Sequence, residues 1–306
     1  MNHSNSPTQL ALLVSLALVG AGCGTDTPPQ EARLEEYVKN VLVDTEWIEG
    51  NWDDPSVRVL EIGGDAVEFE EGHLPGAAFL AAGSLTNPDD AIGSQIATGE
   101  QLSTVLGELG VTPEHTVVLY DRNGNLFSAR AYWVLKYYQH SDVRIYNGGT
   151  SKWTADDREL TNDAVGYEVS DYQAGPADPA IRTTWEYVMD HTDDPSTLMC
   201  DARSPDEHLG RDVRAERGGH IPGSVNLEWS VALNPDGTFR SPDDLARLYE
   251  GAGFTRDKQI ITYCQSGVRG AHTWFVLSEL LGYPDVRNYD GSWLEYGNRA
   301  ESIIEG

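Results

Sequence analysis

The 306-residue chain is 40% hydrophobic and 23% charged, the composition of a folded globular protein of about two domains and not of a disordered one. Its formal net charge of -28 excludes a phosphate-gripping nucleic-acid surface, which needs a basic surplus, and reads instead as a strongly solvated exterior that resists association. Three cysteines with no CxxC pair exclude a zinc knuckle, a thioredoxin-like dithiol and a disulfide framework, so each cysteine needs its own reading.

The chain opens with an apolar run from Leu10 to Val19, LALLVSLALV. It is too short to cross a membrane comfortably and has the length of a signal-peptide core. Gly20-Ala21-Gly22 and Cys23 follow, and then the polar stretch GTDTPPQEAR. This resembles a bacterial lipoprotein signal, in which residues 1–22 are removed and Cys23 becomes the lipidated first residue. That resemblance implies an extracytoplasmic protein, in the periplasm or at the cell surface, touching the membrane only through a lipid anchor at Cys23. The basic n-region is missing and Gly20 stands where such signals usually carry Leu; a plain secretory signal is the alternative. Residues 23–38 read as a Pro-containing tether.

From about residue 39 the chain is written twice. Glu71-Gly72-His73-Leu74-Pro75-Gly76-Ala77 recurs as Gly218-Gly219-His220-Ile221-Pro222-Gly223-Ser224. A helix-like stretch ending at Gly110 leads to the apolar run Thr116 to Tyr120, and PDDLARLYEGAG leads likewise to Gln259 through Tyr263. Tyr146-Asn147-Gly148-Gly149 recurs as Tyr289-Asp290-Gly291-Ser292, and both Tyr120 with Tyr263 and Gly148 with Gly291 stand 143 positions apart. Each copy alternates β-rich runs with amphipathic helical patterns, which predicts an α/β fold: two units, each a parallel sheet covered by helices on both faces. Ser204-Pro205-Asp206-Glu207 and Ser241-Pro242-Asp243-Asp244 predict helix starts. The polar stretch from about 161 to 180 separates the copies, giving a first domain at 39–165, a linker at 166–177 and a second domain at 178–306.

In the first copy Asp121 follows the strand-like run; in the second, Cys264 does. Cys264 therefore sits at a strand end on the C-terminal edge of an α/β sheet, where ligands bind. The tight loop Gln265-Ser266-Gly267-Val268-Arg269 opens a helix, so its backbone N–H groups form a nest for an anion. For a cysteine the anion is the thiolate, the nucleophilic form. Gly267 permits the close backbone approach and Arg269 adds positive charge. Cys200, in the apolar run TLMC, reads as a core residue. His73 and His220 open HxPG turns and read as structural, and Trp153, Trp274 and Trp293 as core or interface residues.

The loop CQSGVR resembles the six-residue active-site loop of rhodaneses, with Cys first and Gly fourth. Asn288 to Tyr296 resembles that family's C-terminal signature, and Asp201 to Glu207 and GHIPGS resemble its two upstream signatures; the likeness runs from about residue 40 to the end. It implies a tandem-domain sulfurtransferase working by a ping-pong reaction. Cys264 attacks the outer sulfur of a small anionic donor such as thiosulfate, becomes a persulfide cradled by the loop, and passes the sulfur to a thiol or cyanide acceptor. No metal or organic cofactor is needed. The resemblance implies that Arg203 helps to bind the donor; Arg269 either binds it too or braces the loop through an ion pair. A first domain carrying Asp121 cannot hold a persulfide and is expected to be catalytically inactive. The alternatives are a 3-mercaptopyruvate sulfurtransferase, a non-catalytic persulfide-carrier lipoprotein and, least, a phosphatase of the related Cys-loop type. Gln265 and Arg269 stand where mercaptopyruvate enzymes carry Gly and Thr, which favours thiosulfate; Ser266 and His73 are shared with those enzymes.

Overall fold

The computed structural model describes Met1 and residues 36–306; the apolar run Leu10–Val19, Cys23 and most of the tether lie outside the described residues. The first half runs β1 (Leu42–Val43), α1 (Thr45–Asn51), β2 (Val57–Gly63), α2 (Val67–Glu71), β3 (Ala77–Ala81), α3 (Gly99–Glu108), β4 (Thr116–Tyr120), α4 (Leu126–Tyr137), β5 (Val143–Tyr146) and α5 (Gly149–Ala155). The second half repeats it: β6 (Arg182–Thr183), α6 (Trp185–Asp190), β7 (Thr197–Asp201), α7 (Pro205–His208), β8 (Val225–Asn226), α8 (Pro242–Gly251), β9 (Gln259–Tyr263), α9 (Val268–Trp274), β10 (Val286–Tyr289) and α10 (Ser292–Tyr296).

Each half is a five-stranded sheet, ordered β1-β5-β4-β2-β3 and β6-β10-β9-β7-β8. Every pairing is parallel. The sequence explains this. β4 and β9 are apolar or β-branched nearly throughout and are buried on both faces for their last four residues, as central parallel strands under two helical layers must be. Helices begin where the caps stand. Ser204 accepts from the Glu207 N–H while Glu207 reaches back, with Pro205 in the first turn, and Ser241 accepts from the Asp244 N–H ahead of α8. Each cap satisfies N–H groups that the helix itself cannot.

The halves meet along α4 and α9. The Tyr132 ring packs edge-on against Phe275 at 4.8 Å, and its hydroxyl donates to Glu279 Oε2 at 2.7 Å. One apolar cluster runs from Leu60 and Leu119 through Tyr132 and Trp133 to Trp274 and Phe275. Burying each such side chain contributes about 2–3 kcal/mol. Beyond α9 the helix widens into a π turn, Phe275–Leu280. Residues 166–177 carry no helix or strand and lie against the first half: Ser170 N–H donates to Gly107 O, Gly175 N–H to Tyr138 O, and Tyr172 is buried.

Candidate active site

The C-terminal ends of β4 and β9 deliver Asp121 and Cys264 to the same point of their two halves. In the first half the following loop is filled. Asp121 is buried, and its carboxylate accepts from the backbone N–H groups of Asn123 at 2.7 Å, Asn125 at 3.1 Å and Ser128 at 2.8 Å, and from the Ser128 hydroxyl at 2.9 Å. Burial pushes this carboxyl above the ordinary range despite those donors. The loop is thus a built cradle for a negative group, occupied by the chain's own carboxylate.

In the second half Cys264 occupies that point. It is 1% exposed. By the 143-residue register, Ser266 and Val268 match Asn123 and Asn125, and among the described residues their N–H groups have no acceptor. Two donors that hold the Asp121 carboxylate are therefore present and unengaged beside Cys264. Gly267 takes φ +78° as the residue capping α9, a conformation that favours glycine. A Cβ there would meet Asp290 O at 2.7 Å.

Segment 288–294 fixes the loop from behind. Cys264 O accepts from Trp293 N–H at 2.9 Å and Gln265 O from Leu294 N–H at 2.8 Å. Asn288 Nδ2 donates to Gly267 O at 3.1 Å. The Ser292 hydroxyl accepts from Cys264 N–H at 3.1 Å and Gly267 N–H at 3.0 Å, and donates to Tyr289 O at 2.7 Å. Ser292 reaches back because its backbone takes φ +49°, as its register partner Gly149 does at +53°.

Two of the cations named from the sequence are paired with carboxylates. Arg203 is 1% exposed; it bonds Asp201 through Nε and one terminal nitrogen, donates to Gly219 O, and stacks over Trp293 at 4.3 Å. These bonds, made through Nε and one terminal nitrogen, tie Arg203 into the floor of the site, with Tyr263 donating to Asp201 Oδ2 at 2.9 Å. Arg269 forks onto Glu207 at 2.6 and 2.8 Å, the ion-pair reading of this residue. Burial opposes both charges. Their mutual hydrogen bonds outweigh it, holding the Glu207 carboxyl at about 2 and the Arg269 guanidinium above its ordinary value. Arg214, half exposed, stands 3.6 Å from Glu207, and its carbonyl accepts from Gln265 Nε2 at 2.9 Å.

Cys200 is fully buried in β7, and burial pushes its thiol far up, which makes it a core residue. His73 Nδ1–H donates to Phe69 O and His220 Nδ1–H to His208 O, each tying its HxPG turn to the preceding helix. Trp153, Trp274 and Trp293 are all buried. Ser292, Glu207 as an Arg269 partner, Asn288 and Arg214 were not singled out in the sequence. Ser292 had a signal, since it alone breaks the Gly-Gly pattern of the first copy.

Two stretches, 44–156 and 184–299, match the rhodanese-like domain family. The chain is 40% identical over 271 residues to the sulfur carrier protein TtuD of Thermus thermophilus, covering 84% of this chain and 94% of the relative. It is 40% identical over 274 residues to a putative thiosulfate sulfurtransferase of Mycobacterium tuberculosis, covering 87% and 98%. Among solved structures, the anaerobic ergothioneine biosynthesis enzyme of Chlorobium limicola superposes with a TM-score of 0.79 at 25% identity, over 87% of this chain and 70% of the other.

Proposed function

The chain belongs to the rhodanese-like domain family of sulfurtransferases, and from that premise we propose that it transfers the outer sulfur of thiosulfate through a persulfide on Cys264. One observation carries the reading: Cys264 stands where the first half holds the Asp121 carboxylate in a cradle of backbone N–H groups. The cradle that stabilises a carboxylate stabilises a thiolate, and then the terminal sulfur of a persulfide, in the manner of an oxyanion hole.

The Cys264 thiolate attacks the outer sulfur of the donor. The S–S bond of thiosulfate breaks and its electron pair leaves on sulfite. A thiol or cyanide then attacks the terminal persulfide sulfur, and the thiolate of Cys264 returns as leaving group. Ser292 and Asn288 hold the loop during both steps; Glu207 holds Arg269 beside it. The first half, with Asp121 filling its own cradle, serves as support.

The relatives named putative thiosulfate sulfurtransferase support this donor. A second reading, a persulfide carrier that hands sulfur to a protein partner, is favoured by the 40% identity to a sulfur carrier protein. Steady-state kinetics separates them. Turnover of thiosulfate with cyanide, with kcat/KM above that for 3-mercaptopyruvate, supports the proposal. A tenfold preference for mercaptopyruvate promotes that donor, and stable sulfur loading without turnover promotes the carrier. We also propose export and lipidation at Cys23, on the residues around it; Cys23→Ala is expected to release the protein from membranes, and a mature protein that keeps Met1 would contradict this.

A further inference from the structure

The two halves cover each other's loops with matching contacts, and one difference between the matches stands out. In the first half Asn147 Oδ1 accepts from the Phe239 N–H of the second half at 2.9 Å. In the second half the register partner of Asn147 is Asp290, and its Oδ2 accepts from the Ile96 N–H of the first half at 2.7 Å. The neutral amide is therefore sufficient for this interdomain bond. Asp290 nevertheless carries a charge, is fully buried, and is matched by two guanidiniums. Arg130 on α4 donates to Oδ1 at 2.7 Å, and Arg182 Nε faces Oδ2 at 3.4 Å. By the 143-residue register Arg130 matches the neutral Thr273 on α9, and by strand pairing Arg182 on β6 matches the neutral Leu42 on β1. Three charges thus appear on the catalytic side alone, where burial makes them costly to keep.

Their place explains the asymmetry. A Cβ added to Gly267 would lie 2.8 Å from Asp290 Oδ1 and 3.2 Å from an Arg130 terminal nitrogen. The pair backs directly onto the loop that carries Cys264. Asp290 also begins the turn whose Ser292, Trp293 and Leu294 hold the loop. We propose that Arg130, donated by the half that lacks the nucleophile, is a positioning residue for the reaction. With Asp290 and Arg182 it locks the Cys264 loop and leaves a surplus of one positive charge behind the thiolate. The inference rests on Cys264 being the nucleophile but not on the identity of the donor.

Other charges face the loop from other elements and stay constant in the test: Arg269, Glu207 and Arg214 at the mouth, Asp201, Arg203, His208 and Tyr263 beneath, and Glu295 on α10 with Arg299 beyond its end. The experiment is the pH dependence of Cys264 alkylation by iodoacetamide in the full chain, which needs no sulfur donor. Arg130→Met removes a cation, and the midpoint is expected to rise by about half a pH unit or more; Asp290→Asn removes an anion, and it is expected to fall. Both variants are expected to turn sulfur over more slowly. A role confined to packing would move both midpoints in one direction or neither, and either result overturns the proposal. If a single variant fails to fold, the double variant Arg130→Thr, Asp290→Asn, which copies the Thr273 and Asn147 found at the matching places of the other loop, takes its place. It leaves the local charge sum unchanged and is expected to keep the fold while alkylation at neutral pH slows roughly tenfold from misplacement alone. A folded double variant that alkylates at the wild-type rate, or one that cannot fold at all, overturns the inference.

Discussion

Asp121 and Cys264 are the same residue position in two copies of one loop: Thr150 N–H bonds Asp121 O as Trp293 N–H bonds Cys264 O, 143 residues later. The first copy shows what the cradle does when it is full. Asp121→Ala would leave three backbone N–H groups and the Ser128 hydroxyl without their acceptor. A loss of about 2–4 kcal/mol is expected, each unpaired buried donor costing on the order of 1 kcal/mol or more. Urea unfolding measures it. Sulfur transfer per folded molecule should be unchanged, and a large loss of that specific activity would give the first loop a role it lacks in this account.

Ser292 is the counterpart in the second copy. Its hydroxyl is the shared acceptor for Cys264 N–H and Gly267 N–H. Ser292→Ala keeps the backbone preference but strands both donors, so about 1–3 kcal/mol of stability is expected to go, together with most of the alkylation rate of Cys264. Unchanged alkylation in a folded Ser292→Ala protein would contradict the assigned role.

Glu207 supplies a pH signature. Its carboxyl falls from an ordinary 4.5 to about 2 in the folded protein, because its bonds to Arg269 outweigh burial. The folded state then holds fewer protons than the unfolded state inside that window. Stability from this group is present above 4.5 and is lost as pH falls toward about 2. The melting temperatures of wild type and Glu207→Gln should differ at neutral pH and converge on acidification. A difference that stays constant across the window would refute the linkage.

Much of this was legible in the sequence, for local reasons. The repeat shows because each half rebuilds the same strand-and-helix order, and the loop shows because a short Cys-to-Arg segment follows an apolar strand. What was not legible depends on contacts across long separations. Glu207 reads as a capping residue and does cap Ser204, but its carboxylate also takes Arg269, 62 residues on. Ser292 acts on Cys264 from 28 residues away, through a left-handed backbone whose one sequence trace is the glycine, Gly149, at the matching place of the first copy. Arg203 bonds Asp201, two residues before it, a pairing the sequence alone did not mark. Arg130 and Asp290 lie 160 residues apart, and the two-residue strands β1 and β6 are too short to leave a period.

Cys200 separates thiol chemistry from thiol packing. It is fully buried, with its thiol pushed far above the ordinary value. Cys200→Ser should keep sulfur transfer and lose about 1–3 kcal/mol, the cost of a core hydroxyl without a partner. A folded Cys200→Ser protein without activity would move the chemistry away from Cys264 alone.

The most direct measurement is mass spectrometry of the purified full chain after incubation with thiosulfate. The peptide containing Cys264 should gain one sulfur atom, cyanide should remove it as thiocyanate, and Cys264→Ser should gain none. No added sulfur on that peptide, or equal loading in Cys264→Ser, would contradict the account.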